Sequence, residues 1–228
     1  MSISVPFRKK IQVEMMALEL LDKYATWKKQ PLSLPINVDD IIEGFFKLRL
    51  EFCDLKQYLK IPDVLGATWF DEKVVRIDSS LEVNEARMAF TMAHEVGHWF
   101  MHRPYYEMNQ VTIPMFGFGD VPPSAAIVCR AAGAKEPAEW QADQFAATLL
   151  APPKMLREAV KELTGGGQIT VDGLESFTGG SAKNPALREA AKWVIDAGFT
   201  NVSVEAMCYR LIDQKLVVDT QPSQSALF

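Results

Sequence analysis

The 228 residues carry 48% apolar and 23% charged side chains, a globular composition with material for one sizeable core, or one core and a small appended subdomain. A formal charge of −5, with neither half of the chain markedly basic, leaves no field to gather phosphates and argues against nucleic acid as a direct partner. Cys53, Cys129 and Cys208 are odd in number, far apart and in no C-x-x-C pair, so neither a disulfide framework nor a thiolate zinc knot is expected and a reducing, cytoplasmic setting fits best.

Arg8, Lys9 and Lys10 are followed by Glu14, Glu19, Asp22 and Lys23 instead of an apolar signal core. No segment approaches the length of a membrane span, and no internal repeat is visible. Ile11, Met15, Leu18 and Leu21 recur at helical spacing and predict an amphipathic helix ending before the Pro31 to Pro35 stretch. Asn37 can cap a second helix, with Asp39 and Asp40 as first-turn cap charges and Ile41, Ile42, Phe45 and Phe46 facing inward. Leu48, Leu50 and Phe52 alternate with Arg49 and Glu51 and, together with Ala67 to Phe70 and Val74 to Ile77, predict a small antiparallel sheet.

From Asn84 the period becomes helical. Ala86, Ala89, Phe90, Ala93, Gly97, Phe100 and Met101 trace one face of a helix that should stop near Pro104. Pro104 to Gly133 then reads as a long loop with irregular strands. Pro137 opens a helix with Ala142, Phe145, Ala146, Leu149 and Leu150 inward, closed by Pro152, and a short helix passes Leu156 and Val160. Thr164 to Lys183, with Gly165, Gly166, Gly167, Gly173, Gly179 and Gly180, has the composition of a flexible connection. Beyond it, Asn184-Pro185 starts a helix through Leu187, Ala191, Val194 and Ile195 that Gly198 ends, and Ser203 caps another through Met207, Leu211 and Ile212. A disordered tail is expected from Asp219.

The chemistry sits in the HEVGH pentapeptide. Histidines four apart on a helix, His94 and His98, point to one side about one turn (~6 Å) apart, so their rings can converge on one cation. Glu95 lies beside the position of a metal-bound water, whose proton it can accept while the metal polarises a carbonyl. The bland alternative is an amphipathic helix with two core-satisfied histidines. Against it, Thr91, Met92, Ala93, Val96, Gly97, Trp99 and Phe100 are all uncharged, as for a helix buried against a sheet.

The third histidine, His102, lies ~12 Å along the axis from His94, too far for one zinc with ~2 Å bonds, and reads as structural or as a pocket-rim residue. Met101 stands where a glycine would be needed to swing a third histidine back. The third ligand is therefore a carboxylate or, as a minor option, the thiolate of Cys129. Glu139 is the best carboxylate, because it precedes Ala142 and Ala146 on the buried edge of a helix where an unpaired charge is costly. Asp143, one turn later, can accept from the far nitrogen of a ligand histidine, His94 first. The competing account of this pair is a surface salt-bridge face. Tyr105, Tyr106 and Arg130 are open alternatives for an oxyanion stabiliser.

The runs RMAFTMAHEVGHWF (Arg87 to Phe100) and EWQADQFAATLLAP (Glu139 to Pro152) resemble the ImmA/IrrE family of bacterial metallopeptidases. The likeness extends more loosely to the N-terminal helix pair, to Gly66 to Asp78, and to VSVEAMCYRLIDQKLV from Val202 to Val217. It implies a gluzincin-like Zn2+ fold with His94, His98 and Glu139 as metal ligands and Glu95 as general base. It also implies cleavage of a helix-turn-helix repressor, so that stress or mobile-element genes are switched on. The long Gly-rich insertion, and the lack of anything like a sensor domain after Val217, depart from the family.

The expected fold class is α+β, a zincin-like domain with a small antiparallel or mixed sheet packed on the motif helix, plus helix-turn-helix-like C-terminal helices. The expected organisation is a metallopeptidase domain at 1–164, a Gly-rich connection at 165–184, C-terminal helices at 185–218 and a tail at 219–228. Those helices carry Arg188, Lys192, Arg210 and Lys215 against four acids, no net positive charge, which favours packing or substrate docking over DNA binding. The alternative function is a non-catalytic interaction module that keeps the fold, and a weaker one is a transcription regulator using the C-terminal helices.

Overall fold

The computed structural model describes residues 5–111, 127–130, 136–174 and 181–220. It is a mixed α+β chain in two compact units, one of Met1–Leu32 with Asn37–Leu149, the other of Ser33–Ile36 with Leu150–Phe228. The division falls at the end of a helix, ahead of the Gly-rich stretch where the sequence reading places it. Among the described residues no helix is long and apolar enough to cross a membrane.

The first unit opens with α1 (Lys10–Lys28). Its inward face is Val13, Ala17, Leu20, Leu21 and Tyr24, whereas Ile11, Met15 and Leu18 are exposed. This corrects the expected face: apolar residues surround the helix, so spacing alone cannot choose between two stripes. A π-helical turn, Asp40–Phe45, follows and buries Ile41 and Ile42. Asn37 Oδ1 accepts from the Asp40 amide at 2.9 Å, as a cap should. Asp40 is more than a cap charge, since its carboxylate takes the Lys28 ammonium at 2.5 Å and the Tyr24 hydroxyl.

Four strands make one sheet: β1 (Arg49–Cys53), β2 (Val64–Trp69), β3 (Val74–Asp78) and β4 (Ile127–Arg130), in the order β1-β3-β2-β4. β2 and β3 pair antiparallel, as expected, but β1 runs parallel to β3, so the sheet is mixed. A parallel neighbour requires a crossover, and the short α2 (Leu55–Leu59) begins it, capped by the Asp54 carboxylate on the Gln57 amide at 2.9 Å. Leu55, Val64, Ala67, Trp69 and Val74 pack together on one side of the sheet. Strand alternation then turns Gly66 and Thr68 to the opposite side, where the motif helix lies. An irregularity in the β2–β4 pairing between Val64 and Gly66 makes that switch of faces possible.

That helix is α3 (Glu85–Gly97), with Asn84 Oδ1 accepting from the Arg87 amide at 3.1 Å. It does not stop near Pro104. A π-helical turn, His98–His102, leads directly into α4 (Arg103–Val111). The wider turn gives the Arg103 amide the His98 carbonyl, so the proline enters at the second position of a new helix, where its missing N–H costs little. The stretch expected as a loop thus begins as helix and includes β4; the rest of it lies outside the described residues. α5 (Pro137–Leu150) closes the unit, with Ala142, Phe145, Ala146 and Leu149 buried.

The second unit holds α6 (Pro153–Thr164), β5 (Ile169–Val171), α7 (Pro185–Asp196), α8 (Val204–Asp213) and β6 (Val217–Asp219). Asn184 and Ser203 cap α7 and α8 through the Leu187 and Ala206 amides, as read from sequence. Two expectations are corrected. Within Thr164 to Lys183, β5 is a packed element, parallel to β6 with Ile169 and Val171 buried. Asp219, expected as the start of a tail, ends β6 instead, and residues 221–228 lie outside the described residues.

Candidate metal centre

α3 and α5 bring the two motifs together. His94 Nε2 and His98 Nε2 stand 2.9 Å apart, and Glu139 reaches across from the first turn of α5, with Oε2 3.2 Å from His94 Nε2 and Oε1 3.3 Å from His98 Nε2. All ligand atoms of this trio lie within 4.8 Å of one another. Ligands around a tetrahedral cation with bonds of ~2.0–2.1 Å are ~3.3 Å apart, so a metal ion fits without rearrangement of the helices. The two histidines are buried, and Glu139 keeps 23% of its side chain exposed.

Protonation favours the same use. Burial pushes His98 down to about 4, which keeps the imidazole neutral and its lone pair available. Burial pushes Glu139 upward, but the His94 and His98 rings set against it outweigh that and hold the carboxyl well below the usual range. Asp143 Oδ1 accepts from His94 Nδ1 at 3.0 Å, which makes Nε2 the ring atom that could coordinate an ion. The structure thus gathers His94, His98, Glu139 and Asp143 into one cluster, while the side chains of Cys129 and Arg130 lie outside the described residues.

Glu95 is fully buried beside this cluster. Its Oε2 accepts from Thr68 Oγ1 at 2.6 Å, and its Oε1 has no hydrogen-bond partner among the described residues. A buried carboxylate oxygen left bare is costly, and a water or substrate proton at the cluster would satisfy it. Burial raises the Glu95 carboxyl to about 7, against the lowering effects of His94 and the Thr68 hydroxyl. Gly66 makes room for the group: a Cβ there would meet Glu95 Oε1 at 2.9 Å and Thr91 Cγ2 at 2.7 Å.

The sequence reading missed Thr68 and Gly66, although a lone glycine inside a strand pattern signals a close approach of this kind. It also left Gln141 unremarked and His102 without a partner. His102 is fully buried with Nδ1 2.9 Å from His98 Nδ1, and burial pushes it down to about 3. Tyr105 and Tyr106 have engagements elsewhere, the first accepting from Arg8 at 3.0 Å and the second donating to Asp71 at 2.8 Å. Neither is thereby marked as an oxyanion donor. No protein-family model matches the chain, and no curated protein matches it.

Proposed function

We propose that the chain is a zinc-dependent endopeptidase that hydrolyses a peptide bond in a protein, with His94, His98 and Glu139 as metal ligands and Glu95 as general base. One observation carries the reading: a two-histidine, one-carboxylate ligand set adjoins a buried carboxylate with one uncommitted oxygen. A structural zinc site takes four protein ligands, whereas three leave a position for substrate. When bound, the ion supplies Lewis acidity, polarising a peptide carbonyl and acidifying water. Thr68 occupies Oε2 of Glu95, so Oε1 is the atom that takes up and returns the proton. Burial raises this carboxyl in the metal-free protein, and a bound cation would favour its ionised, proton-accepting form.

The mixed sheet with α3 along one side, and α5 delivering the third ligand, supports a zincin-like description of the first unit. The likeness of Arg87 to Phe100 and Glu139 to Pro152 to the ImmA/IrrE metallopeptidases supports that family and its cytoplasmic substrate class, a helix-turn-helix repressor. The decisive experiment incubates zinc-loaded protein, and its Glu95→Gln variant, with helix-turn-helix repressors encoded near it. Cleavage by the first alone is the expected result. Binding of a repressor with no cleavage by either protein would replace the proposal with the interaction-module reading.

A further inference from the structure

The groups buried behind His98 fix which of its two ring nitrogens holds the proton. A backbone carbonyl can only accept a hydrogen bond. Pro6 O receives Gln141 Nε2 at 2.9 Å, which orients the amide and turns its acceptor, Oε1, toward His102 Nε2 at 3.2 Å. Since that oxygen cannot donate, His102 Nε2 must carry a hydrogen. A neutral imidazole protonated there has a bare Nδ1, and this atom faces His98 Nδ1 at 2.9 Å. His98 must then hold its hydrogen on Nδ1, and its Nε2 lone pair joins the acceptor atoms of His94 and Glu139 as a set that a cation would satisfy.

We propose that Pro6, Gln141 and His102 form a one-way hydrogen-bond relay that locks His98 in the tautomer able to bind a metal through Nε2. This rests on the metal-centre reading and deepens it. His98 and His102 have no exposed surface and Gln141 has 1%, so bulk water cannot stand in for a missing member. Reversing any link would put two N–H groups, or two lone pairs, face to face in a buried site, at a cost of ~1–3 kcal/mol or more.

The relay also explains why the two histidines are backed differently. His94 leans on the Asp143 carboxylate, which adds negative charge beside Glu139 and Glu95. A second carboxylate behind His98 would add another like charge to a buried cluster. A neutral relay orients the ring without that repulsion. Its far end is the N-terminal segment, which Arg8 pins by a 3.0 Å hydrogen bond to the Tyr105 hydroxyl and by lying over that ring at 5.5 Å. Residues from the start of the chain thereby set the geometry of a ligand almost a hundred positions later. His102 and Gln141 are positioning residues, since they act through His98.

The test is spectroscopic and uses the whole protein. With 15N-labelled histidine and only three histidines in the chain, long-range 1H–15N correlation reads each ring in metal-free and zinc-loaded protein. His102 should be the Nε2–H tautomer in both states and His98 should carry its hydrogen on Nδ1. His102 found as the Nδ1–H tautomer, or as an imidazolium at neutral pH, overturns the relay. Gln141→Leu and His102→Leu should each weaken zinc by ~10–100-fold in chelator competition, with His102→Gln, which keeps an acceptor, losing less. Unchanged affinity in both leucine variants also overturns it. If the wild-type protein takes up no zinc, the metal reading fails, yet the metal-free spectrum still decides the tautomers.

Discussion

Glu95 offers a measurement that links stability to the catalytic proposal. Burial lifts its carboxyl from 4.5 to about 7 in the folded, metal-free protein, which disfavours the charged form by about 3 kcal/mol. Between those values the native state holds a proton that the unfolded chain has released. The stabilisation is complete below the unfolded value, declines as pH rises through the window and is gone above the folded value. Glu95→Gln has no such proton, and its amide can still accept from Thr68, so it should resemble the protonated wild type at every pH. In urea denaturation with chelator present, the variant's advantage over wild type should grow by about 2.5 kcal/mol between pH 5 and pH 8. Trp27, Trp69, Trp99 and Trp140 place four of the five tryptophans in the unit that holds the site, so fluorescence follows its unfolding. Titrating groups remote from Glu95 are common to both proteins and cancel in the difference. Parallel pH profiles would refute the claim that Glu95 is held desolvated beside the metal cluster.

The proposed metal-site residues should divide by role. Glu139→Ala should abolish firm zinc binding by leaving two histidines, while Asp143→Ala should weaken it by ~10–100-fold, both read by metal analysis and chelator competition. Full occupancy in Glu139→Ala would direct attention to Cys129. Gly66→Ala should cost ~1–3 kcal/mol and depress turnover more than zinc content, because the new methyl group presses on Glu95 and Thr91 and touches no ligand. Asp78 is buried, accepts from the Leu55 amide at 3.0 Å and meets the Lys56 ammonium at 3.1 Å. Burial pushes its carboxyl up, but hydrogen bonds from Ser80 and Lys56 outweigh it and the value is lowered. Its stabilisation should be present above the unfolded carboxylate value and vanish as pH falls through the folded one. Asp78→Ala should therefore cost ~1–3 kcal/mol near neutral pH, with the difference from wild type shrinking in acid denaturation.

Local chemistry was legible in the sequence. Histidine spacing on α3, the caps at Asn84, Asn184 and Ser203, and the cost of burying Glu139 each depend on residues within a turn or so of one another, so composition and period suffice to read them. Where local signals balanced, the reading went wrong: α1 is apolar on several sides, and only packing decides that Leu20 is buried and Met15 exposed. Pro104 looked like a terminator because the π-helical turn that accommodates it has no sequence signature as strong as proline's own. β5 was hidden among glycines because its pairing partner, β6, lies at the other end of the unit. The same holds for what gives the centre its chemistry. Thr68 meets Glu95 across 27 positions and Gln141 meets Pro6 across 135, and the desolvation that tunes Glu95 is a property of everything packed around it. A sequence determines which groups can ligate or accept a proton; the folded structure decides which of their atoms are left bare, because that depends on partners brought together only by tertiary packing.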